Sequence, residues 1–122
     1  MIKLVFCCRR REGMTREEFQ ERWLRVHGPL VKRLRESDLP IMKRYVQSHS
    51  LPDEMSEGLR GPRGSAEPYD GITEVWFESV EALGADRSEG AIAASRALIA
   101  DEAEFIDLAR SSVFLTEEHE IF

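Results

Sequence analysis

Apolar and polar residues alternate from Ile2 to Arg9, the period of two that predicts a β-strand. After a Glu12-Gly13 turn the period lengthens. Thr15 can cap a helix and Glu18 can close a capping box, and Phe19, Trp23 and His27 follow at i, i+4 and i+8 on one face. Gly28 and Pro29 are expected to end or kink this helix, which resumes through Leu30, Val31 and Leu34. Pro40 opens a second strand, Ile41 to Ser50, with Tyr45, Gln47 and His49 on one face and Met42, Val46 and Ser48 on the other. Residues 51–68 are rich in proline, glycine and charge and carry no period. A segment that long is a functional lid or is unstructured. Asp70-Gly71 opens a third strand through Glu78, with Ile72, Glu74 and Trp76 on one face and Thr73, Val75 and Phe77 on the other. Ser79 caps a helical turn ending at Gly84. Ser88 caps a longer helix predicted to run to about Arg110, with Ile92, Leu98, Ile99, Phe105, Ile106 and Ala109 as its apolar stripe. Ser112 to Glu118 is the last strand.

The order is β-α-β-β-α-β, an α+β chain of the ferredoxin-like, split βαβ type with a four-stranded antiparallel sheet. Two helices cover one face of such a sheet. Yet the first and third strands carry large apolar groups on both faces: Ile2, Leu4 and Phe6 against Val5 and Cys7, and Ile72 and Trp76 against Val75 and Phe77. Something must bury the second face. A second copy packed sheet to sheet is the simplest answer, which predicts a homodimer whose two sheets form one barrel. Residues 1–122 form a single domain in this reading, since neither half could fold alone, with 51–68 as its long loop and possible lid.

Composition narrows the functions. A formal net charge of -6 opposes nonspecific nucleic-acid binding, which needs a basic face. The one short basic run, Arg9 to Arg11, reads as a turn at a strand end. No apolar run is long enough to span a membrane. The apolar start precedes its charges, the wrong order for a secretory signal, so a cytoplasmic protein is expected. Cys7 and Cys8 are adjacent and point to opposite faces of a strand, which disfavours a bridge between them. With three histidines and no paired cysteines, no zinc site is expected.

His27 is the best candidate for chemistry. It sits at the edge of an apolar stripe, at a helix end, where an imidazole can titrate near neutral pH and neighbours can fix its tautomer. The helix macrodipole alone would also favour an imidazolium there. Asp70 is a candidate orienter for His27, although Asp-Gly is equally an ordinary turn pair. Tyr45 can offer a hydroxyl to a carbonyl or phenolate, or serve as a core aromatic. Trp23 and Trp76 could line a flat ligand site, and His49 shares the Tyr45 face. Glu102 lies on the apolar stripe of the second long helix, where a carboxylate either pairs with an arginine or has a raised pKa.

The segments GMTREEFQERWLRVHGPLV, KRYVQ, YDGITEVWFES and DEAEFIDLARS resemble the EthD family of small dimeric α+β barrel proteins, in the same order and over nearly the whole chain. The W-x-x-x-H-x-P helix ending is the most specific part. The resemblance implies a ferredoxin-like subunit, a paired-sheet dimer, and a ligand pocket between sheet and helices, with His27 as its histidine and Asp70 as the acidic residue before the third strand. Proteins that share such a barrel include polyketide cyclases, dehydratases, muconolactone isomerases and cofactor-free monooxygenases, so fold does not choose the reaction.

The chain has no phosphate loop, no GxSxG, no dinucleotide fingerprint and no paired metal ligands. The leading expectation is therefore a cofactor-independent lyase, isomerase or cyclase that moves a proton beside a carbonyl of a small aromatic or carbonyl-containing compound. In it His27 is the base, Tyr45 the carbonyl-side donor and Asp70 the orienter, with Trp23, His49, Trp76 and Glu102 around the substrate. The rivals are a non-catalytic ligand-binding or accessory protein of a degradation or biosynthetic pathway, and a haem- or oxygen-dependent monooxygenase with His27 as axial ligand.

Overall fold

The computed structural model describes all 122 residues. Strand β1 (Ile2–Cys8) leads to helix α1 (Arg16–Arg22), a single wide π turn (Trp23–His27) and helix α2 (Gly28–Ser37). Strand β2 (Arg44–His49) is followed by a short helix α3 (Glu57–Arg60), strand β3 (Gly71–Phe77), a one-turn helix α4 (Val80–Leu83), helix α5 (Glu89–Glu102) and strand β4 (Ser112–Glu117). The sheet order is β2-β3-β1-β4, every pair antiparallel. This is the expected βαββαβ arrangement, with both long helical segments on one face.

Local chemistry explains the starts. The Thr15 hydroxyl accepts from the Glu18 amide at 3.0 Å, and the Glu18 carboxylate accepts from the Thr15 amide at 2.9 Å, which closes the capping box. The Ser79 and Ser88 hydroxyls cap α4 and α5 by accepting from the Ala82 and Ala91 amides, without the reciprocal half of the box.

Three boundaries differ from the sequence reading. The helix does not break at Gly28-Pro29. Proline lacks the amide that an α-helix would bond back to Arg25, and its ring would crowd that carbonyl. The chain instead widens into the π turn, where the Gly28 amide reaches the Trp23 carbonyl, and then continues to Ser37. Helix α5 stops at Glu102, short of Arg110. Phe105 and Ile106 reach the core by lying against the segment after β1: the Arg11 amide donates to the Phe105 carbonyl and the Asp107 amide to that of Arg9. Its buried stripe is therefore Ala91 and Ala94 with Leu98 beside them, while Ile92 and Ile99 are exposed. Strand β2 begins at Arg44, because Met42 turns into the core ahead of it. Residues 51–68 hold α3 and two 3-10 turns, Asp53–Ser56 and Gly61–Arg63. Arg16 donates to the Leu51 carbonyl at 3.1 Å and tethers the loop's start to α1.

The register separates the two faces. Leu4, Phe6, Tyr45, Gln47, Thr73 and Val75 share the helix-covered face through the pairs Leu4–Val75, Phe6–Thr73, Tyr45–Val75 and Gln47–Thr73. Val5, Cys7, Val46, Ile72, Trp76 and Phe114 share the open face. Cys7 and Cys8 are free thiols on opposite faces. The covered core has two parts. One gathers Val31, Leu39, Met42, Val75 and Phe77 under α2 and α5; the other gathers Cys8, Phe19, Trp23, Phe105 and Ile106 at the far end.

Candidate functional site

Between the covered face and the helices lies a cavity of about 510 Å³. Its walls are mostly aliphatic and aromatic, and its polar groups include His27, Tyr45, Thr73 and Glu102. This is the usual composition of a small-molecule site, an apolar enclosure with a few converging polar atoms. No arginine or lysine lines it.

His27 is 3% exposed and is fixed by two neighbours. Its Nδ1 lies 2.7 Å from Asp101 Oδ2, so the Nδ1–H donates to that carboxylate and Nε2 is left as a free base at the cavity. Asp101 is itself held by Arg22, whose Nη2 and Nη1 donate to its two oxygens at 2.7 and 3.2 Å. Phe105 backs the cluster, with its ring centre 5.3 Å from the imidazole and the Arg22 guanidinium above its face. The π turn makes this geometry. Arg22 and His27 are five residues apart, a spacing that an ordinary α-helix splays apart and a wider turn brings to one side. Both then reach the same carboxylate at the end of α5.

Glu102 follows Asp101 and lines the cavity, its Oε2 3.7 Å from His27 Nε2. Burial, with the adjacent Asp101 charge, pushes its carboxyl up to about 7. Burial also pulls His27 below the ordinary imidazole value, opposed by its bond to Asp101. Asp101 stays below the usual carboxylate range because Arg22 donates to it. The cavity thus holds a neutral imidazole base beside a carboxyl that can carry a proton near neutrality.

Tyr45 lines the same cavity, and burial raises its phenol to about 12, so it is a neutral hydroxyl at physiological pH. Gln47 positions it. Gln47 Nε2 donates to the Tyr45 hydroxyl at 3.1 Å and to the Trp23 carbonyl, which also accepts from the Gly28 amide of the π turn, at 3.0 Å. With Gln47 as donor, the phenolic proton is left to point elsewhere. The far side of the Gln47 amide accepts from His49 Nε2 at 2.8 Å.

The remaining sequence candidates fall in different places. Trp23 is wholly buried and lines the cavity. His49 stacks on Trp23 at 4.6 Å without reaching the cavity, so it supports the wall. Two placements are corrected. Asp70 does not orient His27: its carboxylate accepts from the Arg10 amide at 2.8 Å and from the Arg10 guanidinium, at the opposite turn of the strands. Trp76 is on the open face, with its indole donating to Glu118 and Lys3 and Arg44 against its ring. Nor does any residue of 51–68 line the cavity. Asp101, Arg22 and Gln47 were missed as site residues. Gln47 was signalled by sharing a strand face with Tyr45. No group of three or more histidine, cysteine, aspartate or glutamate side chains is arranged to hold a metal ion, and no helix is long and apolar enough to cross a membrane.

These features define a ferredoxin-like α+β subunit with an acid-base cluster in an apolar cavity under its helices. The chain belongs to the EthD domain family, whose model matches residues 11–109. No curated protein matches it. Among solved structures it is similar to an ethyl tert-butyl ether D (EthD) family protein from Bacillus halodurans, with 18% identity, a TM-score of 0.62, and 98% of this chain and 99% of that one covered. It is also similar to a dimeric ferredoxin-like protein of unknown function from Thermobifida fusca, with 17% identity, a TM-score of 0.59, and 96% and 90% covered. A third likeness is a dimeric protein of unknown function and ferredoxin-like fold from Bacteroides fragilis, with 11% identity, a TM-score of 0.53, and 96% and 95% covered. These likenesses show the fold.

Proposed function

We propose that the protein is a homodimeric, cofactor-independent proton-transfer enzyme of the lyase, isomerase or cyclase type, acting beside a carbonyl of a small aromatic or carbonyl-containing compound. The observation that carries this reading is the Arg22–Asp101–His27 chain, which orients one imidazole nitrogen into an apolar cavity next to a protonatable Glu102. A half-buried, arginine-linked carboxylate behind a histidine fixes its tautomer and stabilises the imidazolium formed when it takes a proton. Nε2 removes the proton α to the carbonyl. The Tyr45 hydroxyl donates to the developing oxyanion, and Glu102 returns a proton to the product or leaving group. The apolar walls exclude water and strengthen these interactions. The dimer reading rests on the unpartnered open face, with Val46, Ile72, Trp76 and Phe114 across it, and on the dimeric state of the two similar ferredoxin-like proteins.

The test is α-deuterium incorporation into a panel of neutral aryl alkyl ketones in D2O, followed by proton NMR. Wild-type protein is expected to accelerate exchange for a subset of the panel, and His27→Gln to remove roughly a hundredfold or more of that acceleration. Full exchange by His27→Gln would end the assignment. Ligands bound unchanged, with no exchange, would make the protein a carrier.

A further inference from the structure

Adjoining the cavity, a second depression of about 380 Å³ lies between α2 and the start of β2, lined by Gly28, Val31, Met42 and Tyr45 and by Lys32, Arg35, Lys43 and Arg44. Val31, Met42 and Tyr45 also line the main cavity, so the two spaces share a wall, and Gly28 adjoins His27. Its charge is unusual for an acidic protein. Residues 32–44 hold five cations against two carboxylates, Glu36 and Asp38. None of the four groove cations has an ion-pair partner, whereas Arg10, Arg16, Arg22, Arg25 and Arg60 all do. Arg35 is steered by donating its Nε to the Met42 carbonyl at 3.0 Å, and its terminal nitrogens remain free. Arg44 leans over Trp76 toward the open face, so Lys32, Arg35 and Lys43 are the groove's own charges.

The main cavity is the converse. It has no cation in its lining, so a charged group buried there would lose its water and find no counter-charge. An anionic group belonging to the ligand finds no counter-charge inside and finds three in the adjoining groove.

We propose that the Lys32–Arg35–Lys43 groove binds the phosphate-type head of an amphiphilic substrate whose neutral, carbonyl-bearing body fills the cavity at His27. This deepens the function proposed above and rests on it. The head anchors the molecule in the adjoining groove through charge-assisted hydrogen bonds, and the apolar body fills the enclosure. The enzyme would then act on compounds carried on a phosphate-bearing handle, in soluble form.

Calorimetric titration of the full chain with decyl phosphate and with decanol tests this, in wild type and in the Lys32→Ala/Lys43→Ala double variant. Both lysines are exposed and unpaired, and decanol binding by the variant checks its fold. In wild type at low salt, decyl phosphate is expected to bind roughly tenfold tighter than decanol, an advantage that shrinks with added salt. The double variant is expected to lose the advantage and keep decanol binding. Equal affinity for the two ligands in wild type would overturn the groove and leave the cavity reading standing. An advantage undiminished in the double variant would place the phosphate elsewhere and overturn it too. Binding of neither ligand would remove both readings. Vesicles containing phosphatidylglycerol separate a soluble ligand from a bilayer: no co-sedimentation is expected, and co-sedimentation lost in the double variant would overturn the soluble-ligand assignment.

Discussion

The two faces of the sheet are made by the same four strands and are put to opposite uses. On the covered face Leu4, Phe6, Val75 and Phe77 close an apolar enclosure, and charge is admitted only where it is fully engaged, as in the Arg22–Asp101–His27 chain. On the open face apolar side chains such as Val46, Ile72 and Phe114 are interrupted by a Lys3–Glu74 ion pair at 2.8 Å, and Trp76 lies under Lys3 and Arg44. Period-two alternation lets one strand serve both purposes, because neighbouring residues never share a face. The contrast says where chemistry can occur. A charge in the enclosure is expensive and is retained only with a partner, so it marks a reacting centre. A charge on the open face is paired within the surface, as Lys3 is with Glu74, so it can set orientation between surfaces without a reacting role.

The largest expected effect is on the covered face. His27→Gln should lower α-proton exchange by roughly 10²–10⁴-fold. Its stability cost should be small, about 1 kcal/mol, because Arg22 still satisfies Asp101 when the imidazole is gone. Urea unfolding alongside the exchange assay separates the two. A loss of several kcal/mol with activity retained would make His27 a packing residue and erase the distinction between the faces.

The open face should respond in the opposite way. Phe114→Asp introduces an unpaired charge into the proposed dimer interface, with its side chain 47% exposed in the subunit. Sedimentation velocity should show self-association weakened by roughly a hundredfold, the scale of a truncated interface anchor, with secondary structure kept. A wild-type protein that is monomeric at micromolar concentration would leave this face without an occupant.

A smaller effect sharpens the electrostatic side. The Glu102 carboxyl is raised from 4.5 to about 7 in the folded chain, so folding takes up a proton there. Its favourable contribution is complete below the unfolded value and is lost as pH rises through about 7. His27 runs the other way: its folded pKa is depressed, so stability falls as acid protonates the unfolded imidazole below its ordinary 6.5. Glu102→Gln should therefore raise stability by about 1–3 kcal/mol at pH 8 and change it little at pH 4.5. Denaturant titrations at the two pH values check this. Equal effects at both would mean that the carboxyl is solvated and that the cavity's polar end is wet.

Much of this was legible in the chain. The strand alternation, the Thr15 and Ser88 caps and the Phe19–Trp23–His27 stripe each depend on residues within one element, and local chemistry decides them. The apolar character of both sheet faces was legible for the same reason. The relation between α5 and the π turn was not. Asp101 meets His27 across 74 positions of sequence, and their register is set by how two helices pack. The π turn itself follows from one proline inside a continuing helix, and its consequence for Arg22 appears only once the turn has widened. Glu102 was visible as a carboxylate on an apolar stripe. Its neighbour Asp101 has the same helical spacing, three after Leu98 and four before Phe105, but nothing local names its partner, because packing alone brings His27 to it. Trp76 was a candidate for a flat ligand site. Its alternation with Val75 and Phe77 set it on the face opposite theirs, but only the packed helices show which of the two faces is covered.

The last comparison is between two aspartates. Asp70 and Asp101 are each ion-paired to an arginine, and only Asp101 touches the imidazole. Asp70→Asn weakens a charged bond to Arg10, whose side chain is 43% exposed, so solvent screens much of the loss and about 1 kcal/mol of stability is expected. The pH profile of proton exchange should not move. Asp101→Asn changes little in volume but removes the charge that favours imidazolium, so the His27 limb of that profile should shift to lower pH, with reduced rate. Measuring both profiles on one substrate decides between the aspartates. A shift in the Asp70 variant alone would return the orienting role to the strand turn, where the Asp-Gly pair first suggested it.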